Sequence, residues 1–340
     1  MREISRKDSV KKILDRLLNN NLMKEDKMRY IEDFQEGERI TAHYLCKRRE
    51  TFKTKSDKNY LRLTLADKTG EIVANAWTLN NDIQSFEAGD FIKIRASVEN
   101  YKDQLQLSIY KIRKSSEGEY LPADYIPTTD KDIDEIYKTI CGLIESIDNK
   151  HLQALLEAIF VDNQEIKETF LAHSAGMRKH HSYMGGLAEH SLNVAQICDF
   201  LAPRYKFVNR DLLIAAALLH DIGKIYELSP FPENDYTDQG KLLGHITMGT
   251  SLVSTQIGQI ANFPKDLQNL LLHCLLSHHG KLEFGSPITP RTIEALILSH
   301  ADNTDAHTKN FEEQLSKAPA GNNWTGYNKD FGGDMRKSSL

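Results

Sequence analysis

The spacing of the apolar residues changes part way along this chain of 340 residues, and the change limits the folds that it can adopt. Between about residues 37 and 116, apolar and polar residues alternate, as at positions 61–65 and 105–109, which is typical of strands with one buried face. From about residue 135 onward, apolar residues recur every three or four positions, which is typical of helices. The sequence therefore predicts a β domain followed by an all-α domain.

The alternating region resembles a small closed β-barrel of the OB-fold type. Its apolar runs suit about five strands, the number found in that barrel. The segment LADKTGEIVANAW, with a turn signal at residues 67–70, is similar to segments in the OB-folds of single-strand-binding and anticodon-binding proteins. Because this fold binds many kinds of ligand, the fold alone does not identify the partner.

Shifts in composition along the chain predict its division into segments. Residues 9–22 carry an amphipathic stripe, and a polar stretch with Gly118, Pro122 and Pro127 separates the two periodicities. Beyond residue 311 the chain becomes polar and rich in glycine and asparagine. We expect an N-terminal helical segment at 1–36, the OB-fold at 37–116, a linker at 117–134, the helical domain at 135–311 and a polar tail at 312–340.

Hydropathy and cysteine spacing bear on where the protein resides. No stretch of the sequence approaches the roughly 20 consecutive apolar residues that cross a bilayer. The start of the chain, MREISRKDSVKK, is charged and lacks the apolar core of a signal peptide. The cysteines are scattered without a CxxC spacing, which is typical of a reducing compartment. These features predict a cytoplasmic protein without membrane segments, and they leave open whether it forms homo-oligomers.

Charge is distributed unevenly between the two regions. Residues 38–114 contain 15 Lys/Arg and 10 Asp/Glu, whereas the remainder of the chain contains 28 and 38. A basic module joined to an acidic one indicates that the basic module binds a polyanion, and the alternative is a solvated basic face.

Proteins that bind single strands combine basic residues with aromatic rings on which bases stack. Both kinds of residue are interleaved in the OB region. We expect the strand to be bound by the basic side chains of its first hairpin, which are Lys47, Arg48, Arg49, Lys53 and Lys58. The interleaved rings are Tyr44, Phe52, Tyr60, Trp77 and Tyr101. Many of these rings are expected in the core, Trp77 in particular because it lies in an apolar strand.

Histidines and aspartates recur in the helical region at the ends of apolar runs. Of 13 histidines, 11 lie between residues 173 and 307. The apolar run at 212–219 leads directly into His220 and Asp221, and a carboxylate at the end of a buried helix is costly unless it is paired or binds a metal. Imidazole and carboxylate together suit divalent transition metals, and carboxylate favours harder ions such as manganese.

The number of candidate ligands fits a site for two metal ions. They are His190, His220, Asp221, His245, His278, His279 and Asp302. Two ions a few ångströms apart need one shared anionic ligand and several neutral ones, and Asp221 suits the shared position. Water bound by such ions would have a lowered pKa and would attack phosphorus in line.

These residues match a known signature. His190, His220, Asp221 and Asp302 resemble the ligand set of the HD-domain metal-dependent phosphohydrolases, and the additional histidines are similar to those of its two-metal subgroup. The segments HHSYMGGLAEHS, ALLHDIGK, LLGHI, SHHG and FGSP resemble the YhaM family of 3′→5′ exoribonucleases. In that family an OB-fold precedes the HD domain.

The resemblance implies function and cofactors. It implies a cytoplasmic exoribonuclease that degrades single-stranded RNA, with activity also on single-stranded DNA. It implies two divalent ions, with Mn²⁺ the first expectation and Co²⁺, Fe²⁺ or Mg²⁺ as alternatives.

The resemblance also implies roles for individual residues. One ion would be bound by His190, His220, Asp221 and Asp302. The other would be bound by His245, His278, His279 and the second oxygen of Asp221. Whether His278 and His279 both bind the ion stays open, because adjacent helical side chains diverge by about 100° and converge only at a helix end.

Three further residues are candidates for contact with the substrate. Lys224 follows Asp221 by three positions, so a shared helical face places its ammonium where it can bind a phosphate oxygen during catalysis. The alternative is a lysine favoured by the helix dipole. His180 and His181 belong to the matching motif and are candidates on the substrate side.

Two other functions stay open at this stage. The chain can be a nucleic-acid-binding replication-accessory protein with an idle HD domain, or an HD-domain hydrolase of small nucleotides. The complete ligand set argues against an idle site, and the OB-fold argues against a substrate as small as a nucleotide.

Overall fold

A computed structural model describes residues 29–54, 56–102, 104–116, 118–121, 124–177, 181–316, 318 and 322–338. These residues divide into two compact units, which are treated separately below. One contains residues 29–128 with 230–233, and the other contains 129–229 with 234–338. The amphipathic segment predicted at residues 9–22 lies outside the described residues.

The first unit is a closed five-stranded barrel. Its strands are β1 (Arg39–Lys53), β2 (Asn59–Asp67), β3 (Gly70–Ala76), β4 (Phe91–Tyr101) and β5 (Gln104–Lys114). They are arranged in the order β1-β2-β3-β5-β4, and β4 pairs with β1 to close the barrel. The β3–β5 pair is parallel and the other pairs are antiparallel. This is the predicted OB-fold.

Alternation of side chains builds the barrel core. In β2, Leu61, Leu63 and Leu65 are buried, whereas Arg62 between them is exposed. The predicted turn after β2 forms because Asp67 Oδ1 accepts hydrogen bonds from the backbone N–H groups of Thr69 and Gly70. The sequence pattern thus specifies both the register of the strands and the hairpin that joins β2 to β3.

The second unit is built from helices, as predicted. They are α1 (Ile133–Glu145), α2 (Lys150–Phe160), α3 (Gln164–Ala172), α4 (Gly186–Leu201), α5 (Arg210–Leu219), α6 (Lys224–Glu227), α7 (Asp238–Ile257), α8 (Lys265–Ser277) and α9 (Ile293–Ser316). Several begin at a side chain that accepts hydrogen bonds from the first turn, as Asp132, Asn149 and Asn209 do.

Helix α5 lies at the centre of this unit. Every residue from Leu212 to Leu219 is buried, and it packs against α4, α8 and α9. A helix that is apolar on all sides is stable only when other elements cover all of it. Its C-terminal end, where His220 and Asp221 follow, is therefore held inside the unit. Within the described part of the chain, no helix is both long and apolar enough to cross a membrane.

Candidate metal centre and strand-binding surface

The buried half of the centre gathers around the C-terminal end of α5. His190 from α4 and Asp302 from α9 meet His220 and Asp221 there. His190 Nε2 lies 3.5 Å from Asp221 Oδ2 and 3.2 Å from Asp302 Oδ1, and His220 Nε2 lies 3.4 Å from Asp221 Oδ2. We call His190, His220 and Asp302 the inner group.

A second cluster of histidines lies on the other side of Asp221. The ligand atoms of His245, His278 and His279 all lie within 4.8 Å of one another. Asp221 Oδ1 is 3.5 Å from His245 Nε2 and 3.7 Å from His278 Nε2. We call these three histidines the outer group. Each oxygen of Asp221 thus faces a different group.

Breaks in helices bring the outer group together. Gly244 has φ 70° and ψ 155°, a conformation that favours glycine, and it interrupts α7 immediately before His245. Helix α8 ends at Ser277, so His278 and His279 stand at a helix end, followed by Gly280 with φ 78°. The two adjacent histidines can therefore face the same point.

The main chain holds the two groups at a fixed spacing. Gly223, two residues after Asp221, packs against the backbone of His245 so closely that an added Cβ would clash with the His245 carbonyl oxygen. The backbone of His245, in the outer group, is therefore in direct contact with the backbone of Gly223, two residues after Asp221.

The histidines of both groups are oriented in the same way. Each Nδ1 is hydrogen-bonded to an oxygen, so Nδ1 carries a proton and Nε2 is directed at the centre, where it offers a lone pair when the ring is neutral. The oxygens and Nδ1–O distances are Asp305 Oδ2 for His190 (2.7 Å), Ala217 O for His220 (2.8 Å), Glu227 Oε1 for His245 (3.0 Å), Leu275 O for His278 (2.7 Å) and Phe284 O for His279 (2.8 Å).

Polar atoms at the centre fit bound cations. Asp221 Oδ1, His245 Nε2 and His278 Nε2 are buried and have no hydrogen-bond partner among the described residues. Buried polar atoms without partners are costly, and a divalent ion would satisfy all three atoms at once. Nitrogen and carboxylate ligands together suit divalent transition metals.

Electrostatics at the centre favour a positive charge. Burial raises the pKa of Asp221, but Lys224 and His220 outweigh burial and hold it well below its usual value. Burial lowers the pKa of His278, and the neighbouring imidazoles lower it further, so this histidine is neutral. Burial also lowers the pKa of His190, but hydrogen bonds with Asp302 and Asp305 outweigh burial and raise it to about 9. The carboxylates around His190 thus favour a cation there, which a proton or a metal ion can supply.

Lys224 lies beside the shared carboxylate. Its Nζ is 2.7 Å from Asp221 Oδ2, as expected from the spacing of three residues. Burial lowers the pKa of Lys224, but Asp221 outweighs burial and raises it, so the lysine is charged. Its ammonium therefore lies within reach of a group bound at the centre.

The matching motif contains two further histidines, His180 and His181. His180 lies outside the described residues. His181 is fully buried behind His190, and its Nε2 lies 2.8 Å from Asp305 Oδ2. In that place His181 supports Asp305 and has no surface to offer a substrate.

Two supporting residues, Asp305 and Glu227, are not among the predicted site residues. Asp305 accepts hydrogen bonds from His190, His181 and the Asn193 amide, and Glu227 accepts from both the backbone N–H and Nδ1 of His245. The available signal was spacing, because each carboxylate follows a predicted site residue by three positions (Asp302 and Lys224) on a helix.

The basic residues predicted to bind the strand do not form one cluster. Lys47 Nζ pairs with Glu71 Oε1 at 2.7 Å, and Lys53 Nζ pairs with Asp57 Oδ1 at 2.8 Å. Arg48 and Arg49 are exposed neighbours on β1, so their side chains point to opposite faces of the strand. Lys58 is exposed just before β2. Exposed ion pairs contribute little free energy, so Lys47 and Lys53 can exchange their carboxylates for phosphates.

Aromatic rings form a row across three strands of the barrel. The ring centroids of Phe52 and Tyr60 are 5.9 Å apart, and those of Tyr60 and Trp77 are 4.8 Å apart. Trp77 is 45% exposed, so the expectation that it lies in the core is wrong. The reason is local: β3 ends at Ala76, which faces inward, and the next side chain therefore points out of the barrel.

Rings and charges share one outer face of the barrel. Phe52 is the cross-strand partner of Tyr60, and Arg62, two residues further along β2, points to the same face as Tyr60. Arg48 lies opposite Thr64 on that face. We call Phe52, Tyr60 and Trp77 the aromatic row.

Comparison with known families agrees with the two units. Residues 187–307 match the family model of the HD domain, and residues 46–114 match that of an OB-fold nucleic acid binding domain. The first range contains both histidine groups, and the second contains the aromatic row.

Relatives match across both domains. Proteins named 3′-5′ exoribonuclease YhaM match this chain from Geobacillus sp. (strain WCH70), Listeria innocua serovar 6a and Shouchella clausii. The first is 31% identical over 86% of this chain and 89% of the relative. The corresponding values are 32%, 85% and 92% for the second, and 34%, 84% and 89% for the third.

Proposed function

Since this chain belongs to the YhaM family of 3′-5′ exoribonucleases, we propose that it is a metal-dependent exoribonuclease that removes nucleotides from the 3′ end of single-stranded RNA. The direction of degradation rests on the names of the relatives. We place the activity in the cytoplasm, which is supported by the free state of all four cysteines.

One observation carries the proposal: the carboxylate of Asp221 is shared between two groups of histidines. Its Oδ2 faces His190 and His220, and its Oδ1 faces His245 and His278. A shared carboxylate between two sets of neutral ligands is the arrangement that holds two cations close together, as in many enzymes that cleave phosphodiesters.

An HD domain implies dependence on divalent metal ions. The inner group with Asp221 Oδ2 would hold one ion, and the outer group with Asp221 Oδ1 would hold the other. The ligand atoms of His278 and His279 both lie in the outer group, so both histidines would hold the outer ion. Manganese suits this mixture of imidazole and carboxylate. When bound, such ions make water more acidic and neutralise charge on phosphoryl oxygens.

Side chains of the protein contribute orientation and charge. Nδ1 of each ligand histidine stays protonated because it donates to a fixed oxygen, so Nε2 stays available throughout the reaction. Lys224 Nζ, charged and next to Asp221, would hold a non-bridging oxygen of the scissile phosphate. That contact strengthens as negative charge accumulates in the transition state, so it would lower the barrier to hydrolysis.

The barrel would hold the rest of the strand. Bases would stack on the aromatic row, and Arg48 and Arg62 on the same face would contact phosphates. Stacking does not distinguish ribose from deoxyribose, so single-stranded DNA is expected to bind as well. This division of labour explains why one chain carries both units.

Labelled oligonucleotides test the proposal. RNA and DNA strands with a 5′ label are incubated with manganese, with manganese plus EDTA, and beside nucleoside triphosphates and cyclic dinucleotides. A series of shortened, still labelled strands is expected only with free manganese. Hydrolysis of the small nucleotides without shortening of the strands would contradict the proposal, as would binding of strands without any hydrolysis.

A further inference from the structure

The outer group gives the metal centre an open side. His245 retains 13% of its side-chain surface and His279 is partly exposed, although His278 is fully buried. In the inner group Asp302 retains 16% of its side-chain surface, whereas His190 and His220 are at most 2% exposed. Solvent thus reaches ligands of both groups, and on the outer side a phosphate from solution would meet His245 and His279.

Large apolar side chains border this open side. Leu242 and Leu243, which precede Gly244 and His245, are 82% and 54% exposed. Leu282 and Phe284 lie in the 3-10 turn that follows His279, and they are 64% and 53% exposed. The ring centroids of His245 and His279 are only 5.2 Å apart, so the segments that carry the two apolar pairs meet at the open side.

The turn that carries Leu282 and Phe284 is held in place. The Phe284 carbonyl oxygen lies 2.8 Å from His279 Nδ1, and the N–H groups of Phe284 and Gly285 donate to the carbonyl oxygens of Lys281 and Leu282. Its apolar side chains are therefore exposed by a fixed backbone. Exposed apolar groups next to a catalytic centre indicate a surface that binds a ligand.

A cation accompanies the exposed ring. Lys281 Nζ lies 5.0 Å from the centroid of the Phe284 ring. A positive charge beside an aromatic face and apolar side chains is the chemistry that recognises a nucleotide, whose base stacks and whose phosphate pairs with the ammonium.

We propose that Leu242, Leu243, Leu282 and Phe284 form a base-binding rim that receives the nucleobase of the terminal nucleotide, with Phe284 as the stacking ring. The inference rests on the proposed function. A base is joined to its phosphate through a single sugar. A scissile phosphate held at the metal centre therefore places the terminal base against the side chains that border the opening.

A pair of substrates and a pair of variants test the rim. The two RNA strands have the same length. One has an ordinary nucleotide at its 3′ end, and the other has an abasic nucleotide there. The wild-type protein is expected to cleave the abasic end with about tenfold lower kcat/KM, because the stacking contact is missing. In Phe284→Ala, kcat/KM is expected to fall about tenfold for the strand with the ordinary terminal nucleotide and to change very little for the strand with the abasic one.

Control variants separate stacking from folding and metal binding. Phe284→Trp is expected to keep the difference between the two substrates. Phe207 lies just before the N-terminal end of α5, the end away from the metal centre, and its ring is 80% exposed. Phe207→Ala is expected to behave like the wild type. Manganese binding, measured by calorimetry, is expected to be unchanged in Phe284→Ala, because the carbonyl group that holds His279 remains.

Each outcome is decisive. The base-binding rim would be contradicted if the wild type cleaved the two substrates equally well, or if Phe284→Ala lowered kcat/KM equally for both. Either result would leave the exoribonuclease proposal intact. Failure of the wild type to shorten either strand would overturn the proposed function and the rim with it.

Discussion

The inner and outer groups of the metal centre are built differently although they share Asp221. In the inner group, His190 and Asp302 lie within helices, and His220 directly follows the buried helix α5. The partly buried carboxylate of Asp305 holds Nδ1 of His190. The outer group lies at a helix kink and a helix end, and it borders solvent. The core packing thus fixes the inner ligands, whereas local backbone conformation fixes the outer ones. In the proposed function, the inner group would anchor one ion, and the outer group would hold the other ion and also meet the substrate.

Removing the shared carboxylate is expected to have the largest effect, because it affects both groups. Asp221→Ala should abolish manganese-dependent hydrolysis, a loss of at least about a thousandfold in kcat. Strand binding should persist, because it depends on the barrel. Hydrolysis assays and gel-shift titrations measure the two properties separately.

A second variant controls for the loss of the ion pair with Lys224. In Asp221→Ala the ammonium of Lys224 loses its partner, which can cost about 3–5 kcal/mol of stability. Asp221→Asn keeps the volume and hydrogen-bonding capacity of the side chain, and it should be equally inactive. Substantial activity with manganese in a folded Asp221→Asn protein would contradict a shared ligand.

Asp305→Asn tests the anchor of the inner group. The change weakens the acceptor that holds Nδ1 of His190, so affinity for one of two manganese ions should fall by about 10- to 100-fold. Calorimetric titration should then show one tight and one weak ion in place of two tight ones. Asp305→Glu should restore part of the affinity. Two unaltered binding steps would mean that Asp305 does not orient His190.

Glu227→Gln makes the matched change in the outer group. A glutamine oxygen can still accept from the His245 backbone and Nδ1, so the loss of metal affinity should be smaller, about tenfold. Because we propose that the outer group meets the substrate, KM should rise as well, whereas Asp305→Asn should act mainly on metal occupancy. If the two variants gave identical kinetic and binding profiles, the distinction between the groups would be lost.

Changes on the barrel should leave both groups intact and have the smallest effect on chemistry. Replacing Lys47, Arg48 and Arg49 by glutamine should weaken binding of long strands and flatten its salt dependence, because fewer counterions are released. Cleavage of a very short strand should change little. Tyr60→Ala should likewise affect long strands alone, by about 1–3 kcal/mol of binding free energy.

The control for these barrel variants is Lys111→Gln on β5, which removes one exposed positive charge from a different strand. Strand affinity measured by fluorescence anisotropy at several salt concentrations is the readout. An equal loss with short and long strands would show that the basic excess is only a solvated surface.

Much of the fold was predictable because the patterns responsible for it are local. The alternation at Leu61–Leu65 and the apolar run before His220 depend only on which side of an element is buried, and both predictions were confirmed. The convergence of His190, His220 and Asp302 follows once these helices pack around α5. Periodicity therefore identified the elements and the helix ends at which the centre lies.

Features that depend on tertiary contacts were not predictable in the same way. Asp305 gains its role only because α9 brings it to Nδ1 of His190, and its spacing of three residues from Asp302 does not by itself predict that contact. Trp77 follows an apolar strand, yet the strand ends one residue earlier and leaves the ring exposed. Arg48 and Arg49 are adjacent in sequence and are separated by the pleat of β1.

The close backbone contact between Gly223 and His245 has a consequence for how the enzyme tolerates exchange of its ions. Side chains can rotate, but two main-chain segments pressed together without an intervening Cβ act as a mechanical stop. The separation of the two proposed ion positions would then be set by the fold, and ions of different radius would change bond lengths without changing that separation. A methyl group at Gly223 would increase the separation, and a misplacement of about 1 Å at a reacting centre can cost a hundredfold in rate.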